Sequence, residues 1–566
     1  MAPPAAAALA RARAPALALA RALALGSAAV AAALPASAPK FVLHVIVDDL
    51  GWGDVSFHNT SSAQVVTPRM HALATQEGTV LDRFYVHFMC TPSRSSFLSG
   101  RLPMHVQNGL PNPEDSICGV PFNMTGLGLR MKEAGYATAW AGKWDAGMAT
   151  HRHTPRGRGF DRSLIYYEHK NDYWDETLLQ SACQRYNPIV DLWSDDGTPG
   201  GEGPARALNG TFYEEYLLRD RVLSIIEAHD VSQPLFLVYT PHIAHCPLQV
   251  PADWLARFNE ADDEVECQQQ TSYIFPGSTA KDYRCRNQYR AMVALLDAAL
   301  GNITDALKAR GMWDQTLMVL SSDNGGPMDV AESGSTNYPL RGAKYSPFEG
   351  GIRVAAFASG GFLPPAARGT VNTGALHIAD FYGTYALLAG LDPADKAAAA
   401  AGLPPVDSVD VWPLISRANL TSPRVEIPVQ TNALISGQWK LLTGHPGEAA
   451  WGGANYPNAS SPASPVDPGP SLNCSRGCLF DVVADPTEHD DVAAQHPALV
   501  AALTARLAEL AKGFFTNKDD FSATTVCPAD MGNVTPCGCW AALNVWGGYF
   551  GPWAWAHNAS AEATEA

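Results

Sequence analysis

The clearest pattern along the chain is a set of short, unbroken apolar runs rich in β-branched residues, each ending abruptly in polar residues. Phe41–Val47 stops at Asp48-Asp49 and Gly51-Trp52-Gly53, and Thr316–Ser322 stops at Asp323-Asn324-Gly325-Gly326. Tyr136–Ala141 runs into Gly142-Lys143-Trp144, and Pro234–Thr240 runs into Pro241-His242. Runs apolar at every position predict strands buried on both faces, as in a parallel sheet. The polar residues that follow fall at the strands' carboxyl ends, where open α/β folds collect ligands. Thr79–Phe88 and Val354–Ala358 read as further strands. Between the strands, helical spacing marks Arg69–Gln76, Leu127–Glu133 after a Thr125 cap, Phe212–Ala228, Asn287–Arg310 and Ile378–Leu388. Asp395–Gly402 reads as an insertion or a surface helix end. The alternation predicts an α/β fold with a large sheet flanked by helices. Beyond about Arg424 the texture changes. Ile427–Thr431, Gln438–Thr443 and Leu479–Val483 read as short strands and Ala498–Lys512 as a helix, with Tyr456–Leu472 a Pro/Ser/Gly loop. The expected division is 1–38, 39–424 and a smaller antiparallel domain with one helix over 425–566.

A length of 566 residues calls for two domains, and 46% hydrophobic with 17% charged residues is the balance of a soluble globular chain. The formal charge of −17 argues against a nucleic-acid binder, though not against a local cationic pocket. Residues 1–38 join Arg11, Arg13 and Arg21 to an apolar stretch ending in Ala36-Ser37-Ala38, which reads as a secretory signal. Pro39 disfavours cleavage directly after it, placing the cut a few residues away; an organelle transit peptide is the alternative. No later apolar run reaches the roughly 18 residues of a membrane span. The chain has 11 Cys. With Cys90 set aside the other ten could pair, and an oxidising compartment pairs most of them, the cysteines at 527, 537 and 539 stapling the tail. Sequons at Asn59, Asn123, Asn209, Asn302, Asn419, Asn458, Asn473, Asn533 and Asn558 fit the same route. The expected destination is the secretory pathway, with release or retention in a lysosome- or vacuole-like compartment.

Candidate chemistry centres on Cys90-Thr91-Pro92-Ser93-Arg94, continued to Ser99-Gly100-Arg101. Proline is tolerated in a helix's first turn, so a helix from here carries residue 90 at its positive end. Arg94 then lies about one turn on, on the same face. An anion there meets free backbone N–H groups, the helix dipole and a guanidinium. The plainer reading is a buried or disulfide-bonded cysteine beside an unrelated arginine. Asp48, Asp49, Asp323 and Asn324, on adjacent strand ends, present only oxygen to a cation, which suits Ca²⁺ or Mg²⁺ and not Zn²⁺. Asp-Asp before Gly is equally ordinary turn chemistry.

The stretch Cys90–Arg101 resembles the signature of the type I sulfatases, and Asp48-Asp49-Leu50-Gly51-Trp52-Gly53-Asp54 resembles their first metal-binding element. The resemblance implies an alkaline-phosphatase-like fold and hydrolysis of aryl sulfates or sulfated sugars. It implies that Cys90 is oxidised by a formylglycine-generating enzyme to formylglycine, nucleophile and metal ligand alike, with Ca²⁺ the favoured ion. Lys143 in Gly142-Lys143-Trp144 and Lys344 in Leu340-Arg341-Gly342-Ala343-Lys344 match the family's sulfate-contacting lysines, and Arg94 offsets charge beside them. His245 in His245-Cys246-Pro247-Leu248-Gln249-Val250-Pro251 resembles arylsulfatase B in particular and implies a general acid; His242 has no such backing. Gly437–Gly447 and Leu479–Glu488 also resemble arylsulfatase B-like C-terminal segments. The family usually has His where this chain has Asp145, which brings a negative charge towards a negative substrate. His151 or His153 is the expected spatial stand-in, or else Asp145 itself acts as base. Two alternatives stay open: a phosphate or phosphonate ester hydrolase of the same superfamily, and a catalytically impaired anion-binding relative.

Overall fold

The computed structural model describes residues 38–554, apart from 60–61, 63, 180, 187, 259–284, 329–333, 448–449, 456–471, 518–531 and 535. The signal, nearly all of the 456–472 loop, Cys267, Cys527 and the sequons at 458 and 558 lie outside the described residues. A ten-stranded sheet organises the chain. Its order is Thr370–Asn372, Thr79–Leu81, Ala356–Ser359, Thr316–Ser322, Phe41–Val47, Leu235–Thr240, Ala137–Lys143, Arg162–Tyr166, Trp193–Asp195 and Gly203–Pro204. The five strands from Thr316–Ser322 to Arg162–Tyr166 run parallel, so their carboxyl ends share one edge.

Every residue of Phe41–Val47 and Thr316–Ser322 is buried, as unbroken apolar runs require. Leu43 and Val45 face the helices Glu214–Ala228 and Cys285–Ala309 through Val222, Ile226, Leu296 and Leu300. Val42 and Ile46 face the other side, towards Phe97 and Leu98 of the helix Cys90–Ser99 and Phe381 and Tyr385 of Asp380–Leu388. Each such side chain contributes about 1.5–3 kcal/mol, and together they fix which strand ends lie side by side.

The C-terminal strands Glu426–Gln430, Ala433–Ser436, Trp439–Gly444 and Cys474–Asp481 form an antiparallel sheet. The helix Pro497–Leu510 covers one face, with Val500, Leu503 and Leu507 on Leu434, Leu441 and Leu479. The opposite face packs on Tyr85, Phe88, Phe348 and Ile352 of the larger unit. The tail then returns to the large sheet: Cys539 is disulfide-bonded to Cys183, and Phe550 N–H donates to the Val190 carbonyl at 2.8 Å.

Several local expectations are corrected. Thr79–Phe88 breaks into Thr79–Leu81 and Phe84–Tyr85, because Asp82 and Arg83 are held sideways by Arg353 and the Gly437 carbonyl. Thr125 does not cap the helix Leu127–Glu133; its hydroxyl donates to Asp395 at 2.8 Å. Asp395 in turn caps Lys396–Ala400, which ties that alanine-rich segment to the core. Cys118 and Cys246 retain thiols, while Cys474–Cys478 and Cys183–Cys539 are bridged. Asn59 is buried, its amide donating to the Gly53 and Ala454 carbonyls, so it is no acceptor for sugar in the folded chain.

Candidate active site

Four parallel strands end at one place and deliver the charged residues there. Asp48 and Asp49 follow Phe41–Val47, Asp323 and Asn324 follow Thr316–Ser322, Lys143 closes Ala137–Lys143, and His245 lies in the loop after Leu235–Thr240. The helix Cys90–Ser99 points its N-terminus at the same edge, with Cys90 as its first residue and Pro92 in the first turn. Ser93 Oγ accepts from the His87 N–H at 2.9 Å, tying the loop that enters this helix. The Lys143 carbonyl accepts from Trp140 Nε1, Thr240 Oγ1 and Arg94 Nη1, fixing the strand end against the helix.

Cations and carboxylates alternate through the site. Lys143 Nζ is 2.7 Å from Asp48 Oδ2 and 3.7 Å from Asp145 Oδ2. Arg94 grips Asp323 Oδ2 through Nε and Nη2 at 3.0 and 2.8 Å, with Asp48 at 3.8 Å. Lys344 Nζ lies 2.8 Å from Asp49 Oδ1 and 3.1 Å from His245 Nε2. His245 Nδ1 is 2.7 Å from the Cys246 carbonyl; as donor there, it leaves Nε2 to accept from Lys344. Burial of all these groups makes their charges interact strongly. For Asp48, Lys143 and Arg94 overcome burial and hold its pKa down at about 2. Asp323 goes the other way, to about 7, because burial and Asp48 outweigh Arg94 and Lys143. Asp49 is likewise raised, by burial and its neighbour Asp48. Burial and Lys344 push His245 well below the imidazole range, so it is neutral, and burial with Asp145 pushes the Cys90 thiol up.

The four oxygen-bearing residues are therefore together, and they bear the marks of a cation site. Asp48 Oδ1 and Asn324 Oδ1 are buried with no hydrogen-bond partner among the described residues. Asn324 Nδ2 donates to Asp49 Oδ1 at 2.6 Å, turning the amide so that its oxygen is left for a ligand. Asp48, Asp49 and His245 offer ligand atoms within 4.8 Å of one another. Two orphaned hard oxygens beside crowded carboxylates fit a divalent ion of the Ca²⁺ or Mg²⁺ type.

Asp145 is buried close to residue 90. Its Oδ1 accepts from Thr91 Oγ1 at 2.8 Å, and its pKa is held at about 2: burial opposes the shift, but His169 and Lys143 overcome it. The expected stand-ins are not the imidazole at its side. His151 pairs with Glu202 at the surface, and His153 turns onto Thr150 and Phe122. That imidazole is His169, 3.1 Å from Asp145 Oδ1, and sequence reading missed it. The signal was the short apolar run Leu164–Tyr167, which makes a strand beside Ala137–Lys143 and brings residue 169 level with 145. His242 pairs with Glu214 at 2.7 Å and stacks on Tyr173, a structural position.

A helix N-terminus, clustered lysines and arginine, and an oxygen-lined cation site on the carboxyl edge of a mixed sheet define a hydrolase of anionic esters with an alkaline-phosphatase-like fold. The Sulfatase family pattern matches residues 40–391, and the chain belongs to that family. It is similar to mouse (Mus musculus) arylsulfatase J, at 30% identity over 85% of this chain and 77% of the relative. Arylsulfatase A of Bos taurus is 30% identical over 68% of this chain and 70% of its own length. Among solved structures, a sulfatase from Pseudoalteromonas sp. superposes with a TM-score of 0.62 at 23% identity, covering 85% of this chain and 92% of that one. The chain is a sulfuric ester hydrolase. Among the described residues no helix is long and apolar enough to cross a membrane.

Proposed function

We propose that the chain hydrolyses sulfated sugars or aryl sulfates, with Cys90 converted to formylglycine by a formylglycine-generating enzyme and Ca²⁺, in preference to Mg²⁺, held by Asp48, Asp49, Asp323, Asn324 and residue 90. Residues 39–424 form the catalytic domain in this reading and 425–566 the smaller domain. The observation that carries it is the pair of orphaned oxygens, Asp48 Oδ1 and Asn324 Oδ1, beside the N-terminus of the Cys90 helix. When bound, the ion and the oxidised side chain supply a hydroxyl nucleophile of lowered pKa and a Lewis acid for sulfuryl oxygen.

The chain's own residues do the rest. Arg94, Lys143 and Lys344 present positive charge to the sulfuryl oxygens in a site sealed from water, where such charge acts most strongly. His245 Nε2 gives a proton to the leaving oxygen. In the free site that imidazole is neutral and its Nε2 accepts from Lys344, so His245 has to take up a proton once substrate is bound before it can give one. Asp145 belongs to the last proton transfer. Resemblance of Gly437–Gly447 and Leu479–Glu488 to arylsulfatase B-like segments supports sulfated saccharide as the substrate class. The leader and the disulfides support passage through the secretory pathway, ending outside the cell or in a lysosome- or vacuole-like compartment.

Two measurements test the reading: peptide mass at residue 90, and sulfate release from p-nitrophenyl sulfate and N-acetylgalactosamine 4-sulfate before and after chelation. The expected result is an aldehyde, release of sulfate, and loss on chelation that Ca²⁺ restores better than Mg²⁺. An unmodified thiol in active protein, or activity indifferent to chelation, overturns it.

A further inference from the structure

Cys90 Sγ, an Asp145 carboxylate oxygen and a His169 ring nitrogen lie within 4.8 Å of one another, all buried. The chain fixes this trio from several directions. Lys143 pairs in register with Tyr166 on the neighbouring parallel strand, and the Trp144 N–H donates to the Tyr166 carbonyl at 2.9 Å, so residues 145 and 169 leave the sheet side by side. Asp145 takes a left-handed turn at φ 46°, and Thr91, next to residue 90, donates to its Oδ1. Asp191 accepts the Tyr167 and Glu168 N–H groups, and the Glu168 carboxylate accepts that of His169. Yet Asp145 Oδ2 and both ring nitrogens of His169 have no hydrogen-bond partner among the described residues, and Nδ1 approaches Asp145 Oδ1 at 3.1 Å as an ion-pair contact. A fixed carboxylate, an imidazole against it and a reactive side chain within reach form the arrangement of an oriented base.

We propose that His169 is the base that takes the proton from residue 90 at the end of the cycle, with Asp145 the positioning residue that orients the ring and holds its charge. This rests on the formylglycine reading above. The proton leaves the hydroxyl oxygen of residue 90 for the ring nitrogen of His169. The O–H electron pair becomes the second carbon–oxygen bond, and sulfate departs with the electrons of its own bond to that carbon. Asp145 thus does not leave the site without a base; it moves that task to the next strand.

The test uses the full-length chain converted at residue 90, as wild type, His169→Gln and Asp145→Asn, mixed with p-nitrophenyl sulfate and acid-quenched. The readouts are steady-state turnover, melting temperature, and the fraction of residue-90 peptide that retains a sulfo group. With His169→Gln, turnover is expected to fall on the order of 10²-fold, the retained sulfo fraction to rise well above wild type, and the melting temperature to hold. Asp145→Asn should do the same to a smaller extent, and it carries the test should the first variant not fold. Turnover in the variants equal to wild type overturns the inference, as does lost turnover without sulfo retention, and either result leaves the sulfatase reading standing. A wild-type chain with a bare thiol and no sulfate release removes that reading, and this inference with it.

Discussion

Lys344 stands between Asp49 and His245, 2.8 Å from one and 3.1 Å from the other, and its two contacts bind three side chains into one unit. Replacing it with alanine removes a positive charge from the site and the hydrogen bond to His245 Nε2, which in the proposed reading faces the sulfuryl group. Turnover of p-nitrophenyl sulfate should fall about 10²–10³-fold. His245→Ala should cost a similar factor, and the double variant little more than either, because residues acting as a unit are not additive; fully multiplicative losses would show that they act apart. Asp191 gives a second test at this scale. Burial raises its pKa from 3.8 to about 7, against two N–H groups that stabilise its charge. A raised carboxyl contributes most below its unfolded pKa, and that contribution fades as pH climbs through about 7. Asp191→Asn should therefore flatten the decline in melting temperature between pH 5 and pH 8; an unchanged slope would place the titration elsewhere. Asp48, Asp49, Lys143, Asp323 and Asn324 were legible because they close strong apolar runs, whereas Cys90, Arg94 and Lys344 were found through motifs that resemble the family's. His169 was not, because its place beside Asp145 depends on the register of two strands and on nothing local to residue 169.

Gly142 shows what an element asks of one position. It takes φ +111°, and a Cβ there would lie 1.8 Å from the Thr240 carbonyl oxygen of the adjacent strand. Backbone cannot move aside as a flexible side-chain tip can, so Gly142→Ala should destabilise by on the order of 4–5 kcal/mol. The check is soluble yield and melting temperature, and a variant that melts like wild type would mean the two strands separate more easily than their packing implies. The long buried strands and amphipathic helices announced themselves, since continuous or 3.6-spaced apolar residues leave little choice. Elements governed by distant partners did not. The break at Asp82-Arg83 depends on Arg353 and the Gly437 carbonyl, far along the chain. Thr125 read as a cap from its neighbours, but its hydroxyl answers to Asp395, which is 270 positions away. The short strands Trp193–Asp195 and Gly203–Pro204 exist only as edge partners, with no periodicity of their own.

The segment around Cys539 and Phe550 closes the described structure. Cys539 reaches back 356 positions to Cys183, and Phe550 and Ala542 join the core under the sheet. Cutting that link with paired serine substitutions should lower stability by about 2–5 kcal/mol, read by chemical denaturation; an unchanged midpoint would show that packing alone holds the tail. Charge balance makes a companion prediction. With three carboxylates crowded at one edge, adding Ca²⁺ should raise the melting temperature of the chelated protein, and no shift would argue against an ion there. This global closure was the least legible part, since cysteine spacing does not reveal connectivity. It bears on how residue 90 could be oxidised. Cys90 is 1% exposed, and all ten residues of its helix are buried. In the proposed reading, a catalyst acting on that sulfur reaches it before the chain closes around it. At about 5–20 residues per second, tens of seconds separate the emergence of the two ends of the locking disulfide's span. On the proposed reading, ribosome speed thereby becomes a clock for maturation, and a chain that shut early would be correctly shaped and inert.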